Sequence, residues 1–150
     1  MKRQTLLRTA LAAGFVTLLV TGCGAMRPSQ KIDIFEARLN GAQEVPATAT
    51  QATGMAEMQW NRGTNRLSWK INFTGLSGPV TAAHIHGPAG PGANAGVVIP
   101  FMTGTIGPIT GQTDLTSAQA ADLAGGLWYV NIHTSVYPGG EIRGQLMLRD

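Results

Sequence analysis

The stretch "RLSWKINF", residues 66–73, decides the fold class. Leu67, Trp69, Ile71 and Phe73 fall on one parity, and Ser68, Lys70 and Asn72 fall on the other. Strict alternation of this kind is the mark of a strand with one face in a core and one in water. Just before it, "GMAEMQW" sets Ala56, Met58 and Trp60 against Met55, Glu57 and Gln59. The link between the two runs, "NRGTN" at residues 61–65, has turn chemistry, so the pair reads as a β-hairpin.

Working outward, the period-two pattern recurs. "KIDIFEARLN" changes parity between Ile34 and Phe35, which places the start of its strand near Phe35. Further strands are expected at residues 81–86, 97–102, 104–113 (interrupted at Gly107 and Pro108), 128–133 and 141–148. One helix is expected over residues 117–124. Thr116 and Gln119 have the spacing of a capping box, and Gly125 and Gly126 supply a stop. Many short strands, glycine-rich turns and one short helix give an all-β fold, an antiparallel β-sandwich of Greek-key, superoxide-dismutase-like or Ig-like kind. The tract "GPAGPGANAG", residues 87–96, loses the collagen triplet register at Ala93 and is read as a loop.

The N-terminus precedes the fold. Lys2, Arg3 and Arg8 lead into an apolar run at residues 11–20, then "VTGC" ends at Cys23, the chain's single cysteine. This resembles a bacterial lipobox, which implies cleavage before Cys23 and acylation of that residue. An ordinary secretory signal with an incidental cysteine is the alternative. Residues 1–22 are thus expected to be a lipoprotein signal peptide and residues 23–30 a tether. Gly24 in place of an aspartate suits an outer-membrane lipoprotein in a Gram-negative envelope.

Of eleven Lys and Arg residues, three lie in the signal segment, which leaves eight against eight Asp and Glu. The isoelectric point near 9.5 therefore belongs largely to the leader. No basic stripe is present to hold phosphates, so nucleic acid is not an expected partner. With Cys23 acylated, thiol catalysis and disulfides are excluded. No HExxH, GxSxG, GxxxxGK[ST] or GxGxxG motif occurs, and no carboxylate pair can be picked out for glycoside hydrolysis. An enzyme is not expected.

The chain has three histidines, and two of them form His84-x-His86. Residues two apart on a strand point the same way with Cα atoms about 6.5 Å apart, so these imidazoles share a face opposite Ala83 and Ile85. In "LWYVNIHT", Trp128, Val130 and Ile132 take the core parity, and Tyr129, Asn131 and His133 take the other. If the two strands are neighbours, His84, His86 and His133 form a three-imidazole set suited to copper or zinc. That set requires His133 to lie within about 8 Å of the other rings. The competing reading has the same histidines bonding to the backbone of the glycine-rich loops. Around them, Glu44 stands in a turn where it can pair with Arg143 or bond a histidine, or simply face water. Asn131 shares the face of His133, and Glu141 and Arg143 share a strand face and are candidates for a cross-strand ion-pair network.

Three blocks, "FEARLNGAQEVPATAT", "AHIHGPAGPGANAGVVIPF" and "LWYVNIHTSVYPGGEIRGQLM", resemble the hallmark segments of the CHRD domain, first described in chordin. The likeness covers residues 31–150, with Ala47 standing where the family often has a second proline after "EVP". It implies an antiparallel β-sandwich and a secreted or lipid-anchored protein, and assigns no catalytic role. A weaker likeness to copper/zinc superoxide dismutase rests on the His-x-His pair. Three histidines cannot furnish that enzyme's two metals, so dismutation is disfavoured. Two readings stand: a non-catalytic binding or scaffolding module anchored by lipid in the cell envelope, or a periplasmic or surface copper- or zinc-binding protein.

Overall fold

A computed structural model describes residues 31–101 and 107–149. The expected signal peptide, Cys23 and the expected tether, together with the expected strand residues at 102 and 104–106, lie outside the described residues. Nine strands and one helix follow in the order β1 (Ile32–Asn40), β2 (Thr53–Asn61), β3 (Arg66–Thr74), β4 (Val80–His86), β5 (Val97–Pro100), β6 (Ile109–Asp114), α1 (Ser117–Ala124), β7 (Tyr129–Thr134), β8 (Ile142–Gln145) and β9 (Met147–Leu148). A 3-10 turn, Gly41–Gln43, follows β1.

The strands run β5-β4-β7-β8-β1-β2-β3-β6, with β9 also paired to β1. The pairings are antiparallel throughout. The order has two four-stranded halves that meet where Asn40 of β1 faces Arg143 of β8. The sheet curls so that the apolar faces of both halves share one core, with Phe35, Ala37 and Leu39 of β1 and Met58 and Trp60 of β2 in the same cluster as Ile85, Val130, Ile132 and Ile142. The Trp69 and Phe101 rings meet across it at 5.1 Å. The all-β antiparallel expectation and the single helix are therefore what the described residues adopt.

The hairpin of β2 and β3 pairs Trp60 with Leu67 and Met58 with Trp69, so the alternation read from the sequence sets the register. The helix has the expected bounds. The Thr116 hydroxyl accepts from the Gln119 amide and the Gln119 side chain accepts from the Thr116 amide.

Boundaries differ from expectation by one or two residues at β4, β5 and β7, and more at two other places. β1 begins at Ile32, not near Phe35. The inward parity of Phe35, Ala37 and Leu39 continues back to Asp33, which is buried and neutralised by Arg62. The Arg62 guanidinium also lies over Trp60, 5.1 Å from the ring centre. An inward aspartate breaks the hydrophobic pattern, and its partner, 29 residues on, restores the pairing. The last strand is split into β8 and β9, because Leu146 bonds back to Trp128 while Met147 and Leu148 pair with Glu36 and Phe35 of β1.

A candidate metal centre

The site lies on the outer face of β4 and β7. Ala83 and Ile85 of β4 and Val130 and Ile132 of β7 are fully buried, and this fixes the parity of both strands. His84, His86 and His133 must then project from the opposite face, where each is partly exposed. The two strands are direct neighbours. Their register sets His84 opposite Asn131, His86 opposite Tyr129 and Ala82 opposite His133. His133 is thus the diagonal neighbour of His84, and the small Ala82 across from it leaves room for the ring.

The three imidazoles converge. Ring centres are 5.1 Å apart for His84 and His133, 5.4 Å for His84 and His86, and 6.3 Å for His86 and His133. One ring nitrogen from each residue lies within 4.8 Å of the others. His84 Nδ1 and His133 Nε2 are 3.3 Å apart. Two nitrogens each about 2.0–2.1 Å from one tetrahedral ion are separated by about 3.3–3.4 Å, so this pair already has the spacing of two ligands on one metal.

Second contacts orient two of the rings. His86 Nδ1 lies 2.9 Å from the Ala95 carbonyl, and His133 Nδ1 lies 3.0 Å from the Pro138 carbonyl. A carbonyl accepts only, so each Nδ1 carries the proton and each Nε2 keeps its lone pair. This is the outer contact that metal-binding histidines make. His86 Nε2 is buried with no hydrogen-bond partner, an orphan that a cation would satisfy. The two readings from the sequence are therefore compatible: loop carbonyls take one nitrogen of His86 and of His133, which leaves the other nitrogen of each as a donor.

Electrostatics favour the neutral form of His84 and His86. Burial holds the His84 imidazole below the usual histidine range, and repulsion from His133 and His86 adds to it. His86 is also held low, first by burial and further by His133 and Arg143, against the opposing bond to Ala95. Neutral imidazole is the form that binds metal. Among the described residues, no carboxylate joins the cluster.

Behind the histidines stands a polar layer. Tyr129 stacks on His86 with ring centres 5.0 Å apart and planes 5° from parallel. The Arg143 guanidinium lies 3.4 Å from the Tyr129 ring centre. Arg143 also donates to the Ala93 carbonyl at 2.7 Å and to Asn94 Oδ1 at 3.0 Å, while Asn94 Nδ2 donates to the Val45 carbonyl at 3.0 Å. The Tyr129 hydroxyl accepts from the Ala95 amide at 3.0 Å. The glycine-rich loop is thereby stitched to β7 and β8 and presents the Ala95 carbonyl to His86.

The supporting residues named from the sequence take other partners. Glu44 makes neither an ion pair with Arg143 nor a bond to a histidine. Its carboxylate accepts from Asn131 Nδ2 at 3.0 and 3.2 Å. Burial pushes its pKa up to about 7, against the opposing pull of Arg143 and Asn131. Gly140, at φ 130°, brings its backbone onto Asn131 and Glu44, where a Cβ would fall 2.7 Å from Asn131 Nδ2. The expected network between Glu141 and Arg143 does not form, and among the described residues Arg143 has no ion-pair partner. Glu141 is fully buried and accepts from Thr50 Oγ1, Thr134 Oγ1, and the amide and hydroxyl of Ser77. Burial raises its pKa, but these hydrogen bonds outweigh burial and the net shift is downward. Glu141 reaches the site indirectly, through Thr134 and the Ile132 carbonyl on either side of His133.

Sequence reasoning placed Tyr129 on the site face but gave it no role. Its parity with Asn131 and His133 was the available signal. The Ala95 and Pro138 carbonyls had none, because backbone groups are invisible to residue type.

A family model for the CHRD domain matches residues 35–146, which hold all three histidines. No curated protein and no solved structure matches the chain. On that match, which spans most of the chain and ends on β8 and the residue after it, the chain belongs to the CHRD domain family.

Proposed function

We propose that this CHRD-domain protein is a lipid-anchored, non-catalytic binding module of the cell envelope whose ligand is one copper or zinc ion, held by His84, His86 and His133. The observation that supports the reading is the convergence of three imidazoles, two of them oriented by carbonyls, with the 3.3 Å nitrogen separation expected around one ion. Three protein ligands leave a coordination position for water or an outside donor. The anchor is Cys23 in its lipobox-like context, and the outer membrane is the expected location in a Gram-negative source.

The test is metal content after incubation of the purified protein with Cu(II) or Zn(II) and desalting. About one ion per chain is expected, with loss in the His84→Ala/His86→Ala variant while its circular dichroism is unchanged. Retention equal in wild type and variant refutes the site, and leaves a scaffolding role without metal.

A further inference from the structure

The three ligands are not held alike, and that difference points to what the site does with its ion. His86 and His133 are clamped. Each has Nδ1 on a backbone carbonyl, and His86 is also stacked on Tyr129, which Arg143 covers from above the ring. The hydrogen bond of His84 is to the His133 ring itself, on the metal side. Its other ring contact, an edge-on approach to His86, is again to a ligand. Among the described residues, nothing behind His84 fixes its imidazole in the way Ala95 and Pro138 fix the other two.

Closed four-ligand sites serve structure, whereas a three-ligand site keeps a position open. Here all three ligands are partly exposed, and among the described residues no Cys, Asp or Glu completes the set. The three rings are partly exposed on the outer face of β4 and β7, while Tyr129, Arg143 and the loop at residues 87–96 pack together on the His86 side.

Resting on the metal-binding reading above, we propose that the site is an exchange site, which passes its ion to an acceptor through a shared intermediate with His84 as the leaving ligand. The acceptor's nitrogen or sulfur donor adds at the open position. The bond from the metal to His84 then breaks, its electron pair returning to the imidazole, and the clamped His86 and His133 release last. No electron is transferred and the metal keeps its oxidation state. The partner class is a metal acceptor with an exposed donor cluster of its own.

The experiment is the rate law of transfer from the whole protein, loaded with whichever of Cu(II) or Zn(II) it retains, to the chromophoric chelator 4-(2-pyridylazo)resorcinol. A shared intermediate predicts a rate that rises in proportion to chelator over a tenfold range. A rate that stays constant as chelator increases means the ion dissociates first, and overturns the proposal while leaving metal binding intact. Failure to load any ion is a different outcome and sinks the binding reading together with this one. The role of His84 is read separately. Millimolar imidazole is expected to restore metal retention to His84→Ala, because the missing donor is on the open side, and failure to do so removes His84 as the exchanging ligand.

Discussion

Glu44 is a carboxylate whose surroundings disfavour its charge, and this gives a signed prediction. In the unfolded chain it titrates near 4.5 and in the fold near 7. Between those values the folded state keeps a proton that the unfolded state has lost, so its contribution to stability falls as pH rises across that window. Glu44→Gln stays neutral at every pH. It is expected to gain about 1–3 kcal/mol over wild type at pH 8 relative to pH 5, the upper end being reduced by partial solvent access. Urea unfolding of both proteins at the two pH values measures it. The histidines give a second. Burial and neighbouring cationic groups hold His84 and His86 low, so in a titration followed by NMR both rings should be less than half protonated at pH 6.5, where an ordinary histidine is half protonated. Parity alone placed the histidines on the right face of their strands. The fate of Glu44 and Glu141 was not legible, because their partners come from remote chain segments: Asn131 lies 87 residues from Glu44, and Thr50 lies 91 from Glu141.

At the scale of elements, what was legible is what is local. The bounds of α1 follow from Thr116 and Gln119, three residues apart, and the β2–β3 hairpin follows from alternation across a short turn. The start of β1 was misplaced because Asp33 looks outward by residue type and points inward only with Arg62 beside it. Thr116→Ala removes the cap and is expected to cost about 1 kcal/mol, read as a lower urea midpoint with unchanged slope. Gly144 tests the seam between the two halves of the sheet. A Cβ there would sit 2.6 Å from the Arg38 carbonyl oxygen and 3.2 Å from Ala37 Cβ, with backbone on one side and a buried strand on the other. Gly144→Ala is expected to destabilise by about 2–3 kcal/mol through overpacking. A variant as stable as wild type would mean that β8 and β1 approach less closely than described.

For the whole molecule, the sequence carried the fold class but not the order of strands. Alternation says which face of each strand is buried, and it is silent on which strand lies beside which. The site depended on that missing fact: His133 meets His84 only because β7, 49 residues away at the point of contact, is the neighbour of β4. The proposed anchor belongs to this scale too. Cys23→Ser is expected to move the protein from the membrane fraction to the soluble fraction, as seen by fractionation and blotting. The central claim, that three imidazoles share one ion, is tested most directly by a crystal structure of the metal-loaded protein with anomalous scattering recorded at the metal's absorption edge. The account predicts one peak about 2.0–2.1 Å from Nε2 of His86, Nε2 of His133 and a ring nitrogen of His84, with both Nδ1–carbonyl bonds kept. An anomalous peak elsewhere, or none within about 3 Å of these rings, would contradict it.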